Sequence, residues 1–168
     1  DLVVLVGRRI EVARMAALIA GFPVSVAGQT VNRLCGSGLQ AVNTAAHAIM
    51  AGDGDVFLAG GVESMTNIPF LLPKARVGYR LGHDQILDGN YQDGFTCGVL
   101  KVPMGLTAEY LADEYHLSRE DQDRYALQSH QRAAQAQRER RFADEILPVP
   151  IQERGATRTV DTDEHVRH

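Results

Sequence analysis

Cysteine is scarce in this chain. Cys35 and Cys97 are the only two among 168 residues, and neither belongs to a CxxC or HExxH spacing, so neither a disulfide framework nor a zinc site is indicated. A reducing setting fits such usage, and the expected location is cytoplasmic, or organellar in a eukaryote. Long apolar runs are missing as well. None approaches the roughly 18 residues of a membrane span, so no membrane partner is expected. Positive charge is not in excess: 17 basic against 21 acidic residues leave a formal net charge of -4, which gives no support to a nucleic-acid surface. Internal repeats are absent too.

What is present suits a globular α/β protein with a real core, since 45% of the residues are hydrophobic. DLVVLVG reads as a buried strand, although the charge follows the apolar stretch, opposite to a signal peptide. Because it begins in mid-structure and the closing DTDEHVRH is polar, the chain is expected to be incomplete. Val12, Met15, Ala16 and Ile19 recur at helical spacing and Gly21 with Pro23 stops that helix. GQTVNRL is a β-branched run leading to Cys35. From Ser37 to Ala51 a stripe of Leu39, Val42, Ala46 and Ile49 predicts a second helix, and Val56–Ala59 a covered strand. Strand, helix, strand, helix, strand argues for a parallel α/β sheet.

Residues 64–105, rich in proline and glycine, are too irregular to continue that sheet. Two helices follow. Thr107 is the expected cap of the first, which runs to about His116; Ser118-Arg119-Glu120-Asp121 caps the second as a capping box with Asp121 in the glutamate position. Ala126, Ser129, Ala133 and Ala136 form a small-residue seam on the second helix, and EILPVPI reads as extended chain.

The stretch VNRLCGSGLQAV sets Cys35 between a strand and a helix. A thiol attacks only as its thiolate, which a helix N-terminus favours, and Gly36 and Gly38 permit a tight turn and close approach of a carbonyl. The same backbone amides could steady the oxyanion formed when a thioester is attacked. Residue type alone leaves two readings open, a nucleophile for acyl transfer and a buried packing cysteine.

VNRLCGSGLQAV, AGDGDVFLAGGVESMTN, MGLTAEYLA, LSREDQDRYALQSHQRA, RRFADEI and TVDTDEHVRH together, in that order from about residue 13 to the end, resemble the thiolases. The resemblance implies the thiolase fold, its N-terminal half with part of an inserted α-rich loop domain. Residues 1–63 would be the first core half, lacking its first strand and helix, and residues 64–168 part of the loop domain that covers the coenzyme A arm and makes oligomer contacts. It also implies an acyl-CoA C-acyltransferase of the acetyl-CoA acetyltransferase type, acting reversibly in fatty acid metabolism: thiolysis of a 3-ketoacyl-CoA, or Claisen condensation of two acyl-CoA molecules. Cys35 would carry the acyl group, Met104 would line the pocket near it, and Phe95 would touch the pantetheine. Coenzyme A and acyl-CoA would be substrates, with no cofactor or metal bound permanently, and the enzyme a homodimer or homotetramer.

The chain departs from the pattern in several places. Val102-Pro103 stands where many short-chain members have Tyr-His before the Met-Gly, which leaves chain length open. The family's Gly-His-Pro histidine and second cysteine have no counterpart here, and His47, about 18 Å along its helix from Cys35, is too far to act as base. His83, His116, His130, His165 and His168 fall in the loop domain, so these residues alone are expected to be inactive. Gly7-Arg8-Arg9-Ile10 runs straight into a helix where the family has a longer loop. Lys74, Arg76 and Arg80 form a basic loop suited to a subunit contact, to a coenzyme A phosphate or simply to solvent; Glu63 follows a strand at the sheet's ligand-binding edge, where two roles stay open, orienting the site through a hydrogen bond and, the preferred one, pinning the loop-domain entrance; Cys97 is read as a packing residue. Two rival readings are a ketoacyl-synthase-like condensing enzyme and a non-catalytic thiolase-like protein that binds acyl-CoA or lipid.

Overall fold

A parallel pair of strands needs a crossover between them, and here two helices supply it. The structure, a computed structural model, describes residues 2–6 and 12–167. It forms two compact units, Asp1–Pro103 and Met104–His168. In the first, β1 (Leu2–Val6), α1 (Val12–Ile19), β2 (Ala27–Val31), α2 (Ser37–Ala51) and β3 (Phe57–Ala59) follow in turn. The three strands make a parallel sheet in the order β2-β1-β3, with Val3 opposite Gly28 and Val4 opposite Ala59. The chain steps from β1 to β2 in one direction and from β2 to β3 in the other, so right-handed crossovers put α1 and α2 on opposite faces. The expected direct run from Gly7 to Ile10 lies outside the described residues.

Both helices pack through small residues, not through the stripes their spacing suggests. Ala13 and Ala17 of α1 are buried with Val26, whereas Met15, Ala16 and Ile19 are exposed. On α2 the buried positions are Ser37, Ala41 and Ala45, while Leu39 (69% exposed), Val42, Ala46 and Ile49 face away. The reason is distance. At Gly28 in β2, a Cβ would come within 2.5 Å of the Arg14 nitrogen and 2.7 Å of its Cα, so strand and helix touch backbone to backbone. The Arg14 guanidinium then ties the chain ahead of β2, donating to the Val24 carbonyl at 2.7 Å and to that of Val26. Gly52, left-handed at φ +80°, ends α2 and donates to the Ala48 and Ile49 carbonyls.

Past β3, Phe70–Leu71 (β4) pairs antiparallel with Leu87–Asp88 (β5). Within the loop they close, Lys74 meets Asp84 at 2.6 Å. That hydrogen bond, before the Gln85 N–H, holds the Asp84 carboxyl below its usual range.

The second unit holds α3 (Met104–Glu114), α4 (Arg119–Arg138) and a hairpin of β6 (Val149–Glu153) and β7 (Ala156–Val160), turned at Gly155 with φ +83°. Thr107 does not cap α3. It lies inside the first turn, its hydroxyl donating to the Met104 carbonyl at 2.6 Å, because the helix starts three residues earlier than the threonine suggests. Ser118 caps α4 as expected, accepting the Asp121 N–H at 3.1 Å while its hydroxyl donates to the Asp121 carboxylate at 2.6 Å. The seam on α4 is displaced: Ala126 and Ser129 are exposed, Ala134 is the buried residue, and Gln137 and His130 hold the closing segment through the Asp163 carbonyl and the Arg167 N–H, each at 3.2 Å. No helix among the described residues is long and apolar enough to cross a membrane.

Gly28→Ala should lower stability by roughly 1–3 kcal/mol, because backbone cannot yield as a flexible side chain would. Chemical denaturation reads this directly, and an unchanged midpoint would mean that α1 does not rest on β2 as described.

Candidate active site

Five residues separate the end of β2 at Val31 from the start of α2 at Ser37. They reverse the chain through Leu34, which is left-handed at φ +51°. For a branched, non-glycine residue that conformation costs roughly 1–2 kcal/mol. Two neighbouring side chains offset it. The Asn32 carbonyl oxygen accepts the Leu34 N–H at 2.9 Å, and the Ser37 hydroxyl accepts the Arg33 N–H at 2.8 Å and donates to the Leu34 carbonyl at 2.6 Å. Backbone bonds from Gly36 to Arg33 and from Ser37 to Leu34, both 3.1 Å, complete the turn.

Cys35 sits at the crest, exposed, one residue before the helix N-cap Gly36. Neither flanking glycine carries a positive φ: Gly36 is at φ -85°, so the strain of the turn rests on Leu34. Gly38 has a different use. A Cβ built there meets nothing within 4 Å, so the first turn of α2 beside Cys35 is open space. Across that turn the Arg33 guanidinium donates to the Gln40 side-chain oxygen at 2.6 Å.

The remaining candidates lie around two other places. At the carboxyl end of β3, a cavity of about 310 Å3 is lined by Glu63, Ser64, Asn67 and Asp93 among others, and the Ser64 N–H donates to Glu63 at 3.2 Å. Phe95 ends the helical turn Tyr91–Phe95 that carries Asp93, 44% exposed, its ring edge-on to Tyr91 with centroids 5.9 Å apart. Met104, 50% exposed, opens α3 in the second unit. His47 is on α2 and His83 in the loop between β4 and β5; His116, His130 and His165 belong to the second unit, and His168 lies outside the described residues. No three His, Cys, Asp or Glu side chains converge as a metal site would require among the described residues.

Cys97 is less inert than a packing residue. It is half-buried, and its sulfur accepts the Leu100 N–H at 3.4 Å in a turn closed by the left-handed Lys101, φ +58°. The N–H groups of Leu100 and then Val99, with the Lys101 charge, pull its thiol below the ordinary value. Asn32, Leu34 and Ser37 are the residues that reading for chemistry passes over. The trace they leave is an Asx-turn spacing, Asn32 to Leu34, and a serine on a helix's first turn.

A strand, a left-handed turn and a helix that leave one cysteine exposed at their junction share the layout of the elbow on which hydrolases present a serine. The model of the thiolase N-terminal domain matches residues 3–168. The chain belongs to the thiolase family. Relatives include an acetyl-CoA acetyltransferase of Chromobacterium violaceum, 47% identical over 93% of this chain and 40% of its own length, and a beta-ketothiolase of Cupriavidus necator, 46% identical over 96% and 41%. The crystal structure of the Bacillus anthracis acetyl-CoA acetyltransferase superposes with a TM-score of 0.94 at 41% identity, covering 99% of this chain and 43% of that one. This chain thus spans about two fifths of the length of the curated relatives it matches.

Cys97 supplies a pH test. Its folded pKa is depressed, so the thiolate form persists in the native protein at pH values where the unfolded chain is already protonated. Its alkylation should therefore reach half its maximal rate at a lower pH in the folded protein than in urea. Coincident midpoints, read by peptide-resolved mass spectrometry, would show that the Leu100 and Val99 N–H groups do not act on the sulfur.

Proposed function

We propose that the whole protein carrying this chain is an acyl-CoA C-acyltransferase that forms an acyl-enzyme on Cys35. The observation that carries the reading is the exposed thiol on the turn into α2, beside the open first turn at Gly38, within a thiolase match that spans residues 3–168. The chemistry follows from the groups. The Cys35 sulfur attacks a thioester carbonyl, an S–C bond forms, coenzyme A leaves as its thiol, and the acyl group waits on the enzyme. In synthesis a second acyl-CoA gives up an α-proton, its α-carbon attacks the acyl carbonyl, and the S–C bond to Cys35 breaks as the C–C bond forms. In thiolysis the sulfur attacks the 3-keto carbonyl instead, the C2–C3 bond breaks, acetyl-CoA leaves after C2 takes a proton, and coenzyme A then takes the acyl group from Cys35. The named relatives, acetyl-CoA acetyltransferases and a beta-ketothiolase, support this substrate class.

Met104 and Phe95 are the proposed contacts for the acyl end and the pantetheine arm, with residues 64–168 as part of a loop domain over the coenzyme. Coenzyme A and its thioesters are substrates, and no resident cofactor is needed for this chemistry. A homodimer or homotetramer is the proposed assembly. A reducing compartment, bacterial cytoplasm or a eukaryotic organelle, suits the exposed thiol.

Brief exposure of the whole protein to acetyl-CoA should add one acetyl group, located on Cys35 by peptide mass and lost in Cys35→Ala. Thiolysis of acetoacetyl-CoA should fall in that variant to the uncatalysed background. An adduct that survives the substitution would put the acyl group on another residue, and no adduct with the fold intact would overturn the acyl-enzyme reading.

A further inference from the structure

Ser37 is the one buried polar side chain among the described residues, 2% exposed. It shares its face of α2 with Ala41 and Ala45, where a methyl group is enough to fill the space. Packing therefore does not explain the hydroxyl. What the hydroxyl does is reach back out of the helix, accepting from Arg33 at 2.8 Å and donating to the Leu34 carbonyl at 2.6 Å. Both partners lie just ahead of Cys35. From the other side, Asn32 takes the Leu34 N–H at 2.9 Å.

Each of these bonds is to the backbone of Leu34 or of the residue before it, and Leu34 is where the chain is left-handed. Relaxation of Leu34 to the right-handed or extended region would turn the peptide between Leu34 and Cys35, and with it the direction in which the sulfur leaves the chain. We propose that Ser37 and Asn32 are positioning residues for Cys35: they lock Leu34 in its left-handed state and so hold the thiol at the crest of the turn, aimed into the open space by Gly38. For the turnover of substrate this rests on the acyl-transfer reading above; for the presentation of the thiol it does not. Backbone that is over-determined in this way is a known means of fixing a reactive group before substrate arrives.

Ser37→Ala, Asn32→Ala and Asn32→Asp in the whole protein test it, with kcat and KM for acetoacetyl-CoA thiolysis and the rate of Cys35 alkylation by iodoacetamide followed at that peptide. The two alanine variants should lose kcat by roughly ten- to a hundredfold, as misplaced reacting groups do, with KM little changed. Asn32→Asp keeps the acceptor oxygen and should retain most of the activity. Leu34→Gly, which enters the left-handed region without steric cost, should lessen the loss caused by Ser37→Ala. Wild-type kcat and alkylation in both alanine variants would overturn the proposal, as would an equal loss in Asn32→Asp and Asn32→Ala. Should Ser37→Ala not fold, the exposed Asn32 pair decides alone. Should the wild type form no acetyl adduct, the acyl-transfer reading fails, and the alkylation rates at Cys35 still decide whether Ser37 and Asn32 position the thiol.

Discussion

The left-handed conformation of Leu34 is the constraint on which the site depends. β2 runs parallel to β1, so its end is committed to a direction, and α2 must begin within five residues to cross back toward β3. A right-handed or extended residue at position 34 would carry the chain on along the strand. The left-handed one reverses it, and Cys35 stands where the reversal is sharpest. The cost of roughly 1–2 kcal/mol is of the same size as the hydrogen bonds that oppose it, each worth about 1 kcal/mol net, so the turn is balanced rather than rigid by default. Burial of Ser37 tips that balance, because a buried hydroxyl deprived of its partners is costly in a way that an exposed one is not.

The same closeness of helix and sheet explains where the bulky residues go. Gly28 against Arg14, and alanine at positions 13, 17, 41 and 45, let α1 and α2 lie close to the strands. Leu39, Val42 and Ile49 are then turned outward, away from the three-stranded sheet. A helix that is apolar on the side opposite its sheet belongs between two layers. The first unit therefore reads as one layer of a thicker fold, in agreement with relatives of whose length the whole chain spans about two fifths.

Much of this was legible in the residues. The order of the first five elements, the start of α2 at Ser37 and its end before Gly52, the Ser118 cap and the place of Cys35 all follow from local rules of capping, turn chemistry and apolar runs. What was not legible depends on what lies opposite. Helical spacing finds an apolar stripe but cannot say whether that stripe meets the sheet or a second layer, which is why Met15 and Leu39 stand for buried positions in sequence and prove exposed. Thr107 has the residue type of a cap, yet the helix already begins at Met104. The hairpin of β6 and β7 hides behind Pro150 and a short polar strand, ATRTV, with only Gly155 to mark its turn. In the site, glycine draws the eye at positions 36 and 38, whereas the unusual backbone belongs to a leucine that no propensity would choose.

The two cysteines show why geometry has to be weighed with electrostatics. Cys97 has the more evident stabilisation of its thiolate, from N–H groups aimed at the sulfur and a lysine nearby, yet those same N–H groups occupy it. A thiolate held in this way is also a weaker nucleophile, since nucleophilicity falls as the pKa falls. Cys35 is exposed, stands one residue before the N-cap of α2, and lies beside space that no atom of the described residues fills at Gly38. Attack on a thioester needs a sulfur that can reach the carbonyl and donors that can meet the oxygen as it gains charge. In the proposed mechanism the exposed thiol of Cys35 meets the first of these needs, and the hydroxyl of Ser37, buried and bonded to the backbone of the two residues before Cys35, is the group proposed to hold it in place.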